Sequence, residues 1–159
     1  RQRHLTIPCE MCIRDRLHTS PRRRAVETAA PLAARLALKP VVALALDEID
    51  FGAFTGRSFA ALDGDPAWFT WNADRATAVC PGGETMAAAL ARAGGYLDAL
   101  PAGTHALVSH CDVIRGVVAQ VLGLPASAIF RFDCDPCSVT TLEDAGGGWR
   151  LVSLNERAR

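Results

Sequence analysis

Three stretches of this sequence carry side chains suited to chemistry on an anion. In TSPRRRAVETAA (residues 19–30), Arg22, Arg23 and Arg24 fall at the start of a helix. That end carries partial positive charge and favours acids, so the arginines are either solvated or face something anionic. In VSHCDVIR (residues 108–115), an apolar strand ends at Ser109-His110 and a helix begins at once. Glu48 follows the apolar run VVALAL and precedes FGAFTG, whose glycines suggest a tight loop. Ligands of open α/β sheets bind at the carboxyl ends of strands, beside the helix N-termini that follow. Helical side chains lean toward the N-terminus, so Arg24 can reach back over its own strand end. A planar guanidinium binds two phosphate oxygens at once. An imidazole adds positive charge or a ring N–H, and a carboxyl group with a raised pKa can give up a proton. Arg24, His110 and Glu48 are therefore candidates for one oxyanion site. Each also has a plain alternative: a solvated arginine, a structural histidine, and a loop acid with Asp47 and Asp50 as competitors.

The elements that must position these residues alternate, which predicts an α/β layered fold. Leu17–Thr19 reads as a strand, with Ser20 as N-cap and Pro21 opening a helix to Leu38 that is bent at Pro31. Val41–Leu46 reads as a buried strand. Ser58–Leu62 and Pro66–Arg75 read as short helical turns. PGGE at 81–84 turns into a helix ending near Leu100. Strand His105–Ser109 and helix Asp112–Leu122 follow, then a helical turn at Pro125–Ile129. Arg131–Cys134, Ser138–Glu143 and Trp149–Leu154 read as strands, the last two joined by a hairpin turn at Asp144–Gly148. Residues 1–15 have no clean periodicity, and Pro8 interrupts them.

The chain has 159 residues, 50% hydrophobic and 21% charged, which suits one globular domain with a core. A formal net charge of +0 gives no global field for nucleic acid or an anionic membrane, so any anion must be bound locally. No apolar run reaches the ~18–20 residues of a membrane helix and no signal peptide is visible, so a cytoplasmic location is expected. Six cysteines include two C-x-x-C pairs, Cys9/Cys12 and Cys134/Cys137. They could form a Cys₄ zinc or redox centre, but no zinc-ribbon turn surrounds them, and buried inert thiols are the simpler expectation. No metal or cofactor is expected.

The motifs are similar to those of the histidine phosphatase superfamily, the phosphoglycerate-mutase-like group. TSPRRRAVETA resembles S-P-x-x-R-A-x-x-T-A, and LDEIDFGAFTG resembles L-x-E-x-x-F-G-x-W-x-G. PGGET resembles P-G-G-E-S, and VSHCDVIR resembles V-S-H-G-x-V-I-R. CSVTTLE and WRLVSLN resemble the closing strands. The resemblance implies a three-layer αβα fold, with a mostly parallel sheet and antiparallel edge strands at the C-terminus. It implies hydrolysis or transfer of a small phosphorylated metabolite through phosphohistidine, without metal. Arg24 would hold phosphate oxygens, His110 would stabilise the transferring group, and Glu48 would protonate the leaving oxygen. Trp68, Phe69 and Trp71 could face a leaving group or belong to the core.

The family's first motif, R-H-G on a central strand, carries its nucleophile. Here the Arg-His pair is Arg3-His4, followed by Leu5 and too close to Ser20 for the usual intervening loop and helix. MCIRDR also resembles translated adapter sequence. The expectation is that residues 1–15 are non-native or truncated, that residues 16–159 form the domain, and that the first central strand is missing. Turnover should then be weak or absent. A non-catalytic phosphate-binding module is the alternative, with a cysteine-based zinc or redox protein behind it.

Overall fold

The computed structural model describes residues 3–5 and 16–157. Six strands form one sheet in the order β3-β2-β4-β1-β5-β6. They are β1 (Arg3–Leu5), β2 (Arg16–Thr19), β3 (Val41–Val42), β4 (Gly103–Val108), β5 (Val139–Asp144) and β6 (Trp149–Glu156). β2 runs parallel to β3 and β4, and β1 parallel to β4, whereas β5 is antiparallel to both β1 and β6. The helices are α1 (Arg23–Leu36), α2 (Phe59–Leu62), α3 (Pro66–Ala73), α4 (Met86–Asp98) and α5 (Cys111–Val121). This is the α/β arrangement with antiparallel C-terminal strands that the sequence predicts.

One core cluster joins α4, α5 and the loops before them through Ile49, Phe54, Trp71, Met86, Leu90 and Val113, all nearly inaccessible. A smaller one packs Leu17 and Ala106 of the sheet against Ala29 of α1. Good caps start three helices: Ser58, Asp65 and Thr85 each accept main-chain N–H groups of the first turn. Among the described residues, no helix is long and apolar enough to cross a membrane.

Several boundaries differ from the sequence reading. α1 starts at Arg23 with Arg22 at the cap position and no side-chain cap. Ser20 is drawn instead into tertiary contacts. The apolar run from Val41 is strand only to Val42, and both valines are exposed rather than buried. After a last ladder bond from Ala43 N–H to Thr19 O, Leu44–Leu46 wind into a 3-10 turn that buries Leu46. Arg131–Cys134 is not a strand: 3-10 helix runs from Ala126 to Arg131. The segment beyond it is tied by side chains, with Asp135 N–H donating to Asn155 Oδ1 at 2.8 Å.

The sequence reading expects no first central strand, but the sheet has a short one. Arg3–Leu5 lie between β4 and β5, with His4 level with Thr104 and Glu143. The rest of residues 1–15, with Cys9 and Cys12, lies outside the described residues.

Candidate active site

The carboxyl ends of β2, β3 and β4 lie side by side, and each is followed by a candidate residue. Thr19 ends β2, and α1 then brings Arg24 back over the strand ends. β3 turns through Leu44–Leu46 to present Asp47 and Glu48. β4 leads through Ser109 to His110, which is the N-cap residue of α5 and 5% exposed. Arg24 Nη2 lies 2.9 Å from His110 Nδ1, and its Nε donates to the same nitrogen at 3.2 Å. Arg24 Nη2 also donates to Glu48 Oε2 at 3.4 Å, and that oxygen stands 3.6 Å from His110 Nδ1. The three residues singled out in the sequence thus meet at one point.

An arginine has no acceptor, so His110 Nδ1 must offer its lone pair to Arg24 and the ring proton sits on Nε2. That proton faces Ser20 Oγ at 2.7 Å. Ser20 Oγ–H is then directed at Asp47 Oδ1, 3.2 Å away, while Ser20 Oγ accepts Arg22 N–H at 3.2 Å. Burial first, and then the Arg24 charge, lower the His110 pKa to about 4, so the ring is neutral. Burial also raises the Glu48 carboxyl above its ordinary range, only partly offset by the Ile49 N–H and Arg24. Burial would push Asp47 the same way, but Arg22, the Glu48 N–H and Ser20 together hold it low. The neighbouring acids are thus shifted in opposite directions, Asp47 down and Glu48 up.

Sequence reasoning missed the group that fixes this loop. Arg92, on α4, donates from Nη1 to Ala45 O and Asp47 O at 2.9 and 2.8 Å, and from Nη2 to Glu48 O at 3.0 Å. Glu84 of the PGGE turn holds the same guanidinium, at 2.6 Å to Nη2 and 3.2 Å to Nε, and accepts Asp50 N–H at 3.0 Å. The two turns approach so closely that a Cβ on Gly83 would sit 2.1 Å from Asp50 O, and one on Gly52 2.3 Å from Pro81 O. Glycine is required at both places for space, and Gly52 also has φ +51°.

Of the arginine triplet, Arg22 binds Asp47 Oδ1 at 2.7 Å, at the rim of the site. Arg23 pairs with Glu27 one turn along α1, in solvent. From Arg24 and Glu48 a cleft of about 320 Å³ opens toward α2 and α3. Trp68 is half-buried beside it, Phe69 is exposed, and Trp71 is wholly buried in the core. The Arg75 guanidinium lies 5.1 Å from the ring centroids of both Trp71 and Phe130 and binds Asp112 Oδ2 at 2.5 Å.

The chain's four histidines have distinct positions. His18 and His105 are buried in a chain of hydrogen bonds away from the site. His105 Nε2–H donates to Pro101 O at 3.0 Å, His18 Nε2–H to His105 Nδ1 at 3.1 Å, and Tyr96 O–H to His18 Nδ1 at 2.8 Å. His110 is at the site. His4 is level with Thr104, near the start of β4, whereas His110 follows the other end of that strand. At about 3.3 Å per residue this sets the His4 backbone about 20 Å from His110 along the strand direction.

The four described cysteines, Cys80, Cys111, Cys134 and Cys137, are free. Burial raises the thiols of Cys80 and Cys134 to about 11 and that of Cys111 above its ordinary value. Among the described residues, no group of three or more His, Cys, Asp or Glu is arranged to hold a metal ion.

Comparison with known proteins identifies the family and the fold. The family model for the histidine phosphatase superfamily (branch 1) matches residues 12–157. The bifunctional protein Rv2228c of Mycobacterium tuberculosis is 32% identical over 143 residues, covering 85% of this chain and 39% of that protein. The chain therefore spans well under half the length of this curated relative. Mycobacterial glucosyl-3-phosphoglycerate phosphatase Rv2419c, in its complex with inorganic phosphate, superposes with a TM-score of 0.75 at 27% identity, over 92% of this chain and 78% of its own. The α-ribazole phosphatase from Shigella flexneri shares the fold, with a TM-score of 0.80 at 24% identity, over 91% of this chain and 74% of its own.

Proposed function

Because the chain belongs to the histidine phosphatase superfamily (branch 1), we propose that it binds a small phosphomonoester at Arg24, His110 and Glu48, in a site organised for phosphoryl transfer. The observation that carries this reading is the convergence of one guanidinium, one neutral imidazole and one buried carboxyl group on a single point. The complex of the structurally similar Rv2419c with inorganic phosphate supports it.

The roles follow from the donors and acceptors. Arg24 turns from His110 Nδ1 to the phosphate oxygens, which hold a guanidinium more strongly than a neutral nitrogen does. With the Arg24 charge turned away and a phosphate dianion beside it, His110 Nδ1 can accept a proton from solvent water and place a ring N–H on the transferring group. Glu48, with its raised pKa, protonates the leaving oxygen and, once ionised, activates water. These groups supply positive charge and acid–base help, the main demands of phosphoryl transfer.

The family's mechanism also needs a nucleophilic histidine. The register of His4, level with Thr104, weighs against that residue filling the role. Our reading is a histidine-type phosphomonoester hydrolase site that binds phosphate and turns over weakly or not at all in this chain. A binding-only role uses the same site and parts from hydrolysis at the nucleophile alone.

The test is calorimetric titration with inorganic phosphate, followed by an assay with p-nitrophenyl phosphate. Binding that disappears in Arg24→Ala, with turnover near background, is the expected result. No phosphate binding overturns the site. Robust turnover abolished by His4→Ala overturns the assignment of low activity.

A further inference from the structure

The cleft beside Arg24 and Glu48 has a composition that selects a leaving group. Its far wall is made by Phe59 and Trp68, whose rings stand 6.2 Å apart at 45°. Phe54 packs edge-on to Trp68 at 5.3 Å, and Phe51 lines the cleft beneath. Phe59 is 81% exposed, an unusual position for a phenylalanine with no partner on its outer face among the described residues.

The polar groups of the cleft are already engaged. Three arginines line it. Arg22 is held by Asp47, and Arg57 by Asp65 at 2.9 Å and Ala61 O at 2.6 Å. Arg24 is therefore the one guanidinium among them without a close carboxylate partner, its nearest being Glu48 at 3.4 Å. Thr55 is the single lining residue with a neutral hydroxyl or amide side chain. A polyhydroxylated leaving group entering here would lose water from several hydroxyls and find one side-chain partner, which is costly. A second anionic group would meet arginines that already hold acids. A flat apolar ring would instead stack on Trp68 and Phe59 and cover their exposed faces.

Resting on the functional reading above, we propose that the preferred substrate is the phosphomonoester of an uncharged alcohol bearing an aromatic ring. The phosphate sits at Arg24 and His110, and the ring lies against the exposed sides of Phe59 and Trp68, with Phe54 buried behind Trp68. The ester oxygen then falls beside Glu48, the one acid lining the cleft.

Binding tests this without relying on turnover. Benzyl phosphate and glycerol phosphate carry the same phosphate group on alkyl oxygens and differ in ring against hydroxyls. The purified chain is titrated with each, and with inorganic phosphate as reference. Partial burial of the ring predicts affinity about tenfold greater for benzyl phosphate. Phe59→Ala and Trp68→Ala should each reduce that ratio to about twofold. Phe59 is mostly exposed, so its variant keeps the fold; should Trp68→Ala unfold on a melting check, Phe59→Ala decides. A ratio near one, or a ratio that Phe59→Ala leaves unchanged, overturns the aromatic preference while phosphate binding keeps the functional reading. Failure of inorganic phosphate to bind overturns both.

Discussion

Arg92 holds the main-chain carbonyl of Glu48 at 3.0 Å, although the two residues belong to different layers of the fold and are 44 positions apart. One guanidinium with its Glu84 partner thus sets the path of the whole Asp47–Asp50 loop. Arg92→Met should cost about 2–4 kcal/mol of stability, because three carbonyls and a partly buried carboxylate lose their donor. Arg92→Lys should recover less than half, since an ammonium cannot reproduce the fork. Urea denaturation of the three proteins measures this; equal stability of Arg92→Met and the parent would show the clamp to be idle.

Arg24→Ala should weaken inorganic phosphate binding by about a hundredfold, the worth of two charge-assisted hydrogen bonds. Arg24→Lys should lie between, and Arg23→Ala, on the solvent side of α1, should match the parent. Calorimetry on the four proteins orders them. Equal losses for Arg23 and Arg24 would mean that the triplet acts as a diffuse charge.

Gly83→Ala should be among the most damaging single substitutions. Its Cβ would lie 2.1 Å from the carbonyl oxygen of Asp50, and both contacting segments are main chain. The PGGE turn must lift off the loop it supports, at a cost of about 3 kcal/mol or more. Gly82→Ala meets no atom but has φ +68°, so it should cost about 1 kcal/mol. Thermal melts decide; a smaller effect at Gly83 than at Gly82 would contradict the close approach.

Mild acid should destabilise the fold through two buried histidines. His18 and His110 have pKa values lowered to about 4, burial being the first cause of each, with His105 next for His18 and Arg24 next for His110. Unfolded, each takes a proton near 6.5. Between those values the unfolded chain binds more protons, so stability is full above pH 6.5 and is lost as pH falls toward 4. Glu48 acts in the opposite sense, its raised pKa favouring the fold at the acid end, but two histidines outweigh one carboxyl group. The urea midpoint should fall steadily from pH 7 to pH 5, and a midpoint that holds or rises would refute the neutral assignment.

The site was legible where a residue ends a strand or opens a helix, because local turn chemistry fixes such positions. Arg24, Glu48 and His110 are of this kind, and so are the boundaries of α3, α4 and α5. Ser20-Pro21 misleads for an instructive reason. Serine before proline normally caps a helix, but here Ser20 Oγ is taken by His110 and Asp47, and the helix starts two residues later than read. Arg92 was invisible because its partners are carbonyls, which every residue has; nothing in ALARAGG marks which backbone it will meet. The uniform run VVALAL carries no sign that pairing stops at Ala43, nor that Val41, Val42 and Leu44 stay exposed while Ala43 and Leu46 are buried.

The Arg75 guanidinium sits between Trp71 of α3 and Phe130 of the 3-10 segment and also binds Asp112 of α5, two residues past His110. The segment carrying the far wall of the cleft is therefore bolted to the helix that carries the imidazole. Fastened in this way, α3 and the Trp68 it carries keep their place against α5. Ligands should meet a receptor already shaped, entering in a single rapid phase with no slower isomerisation behind it.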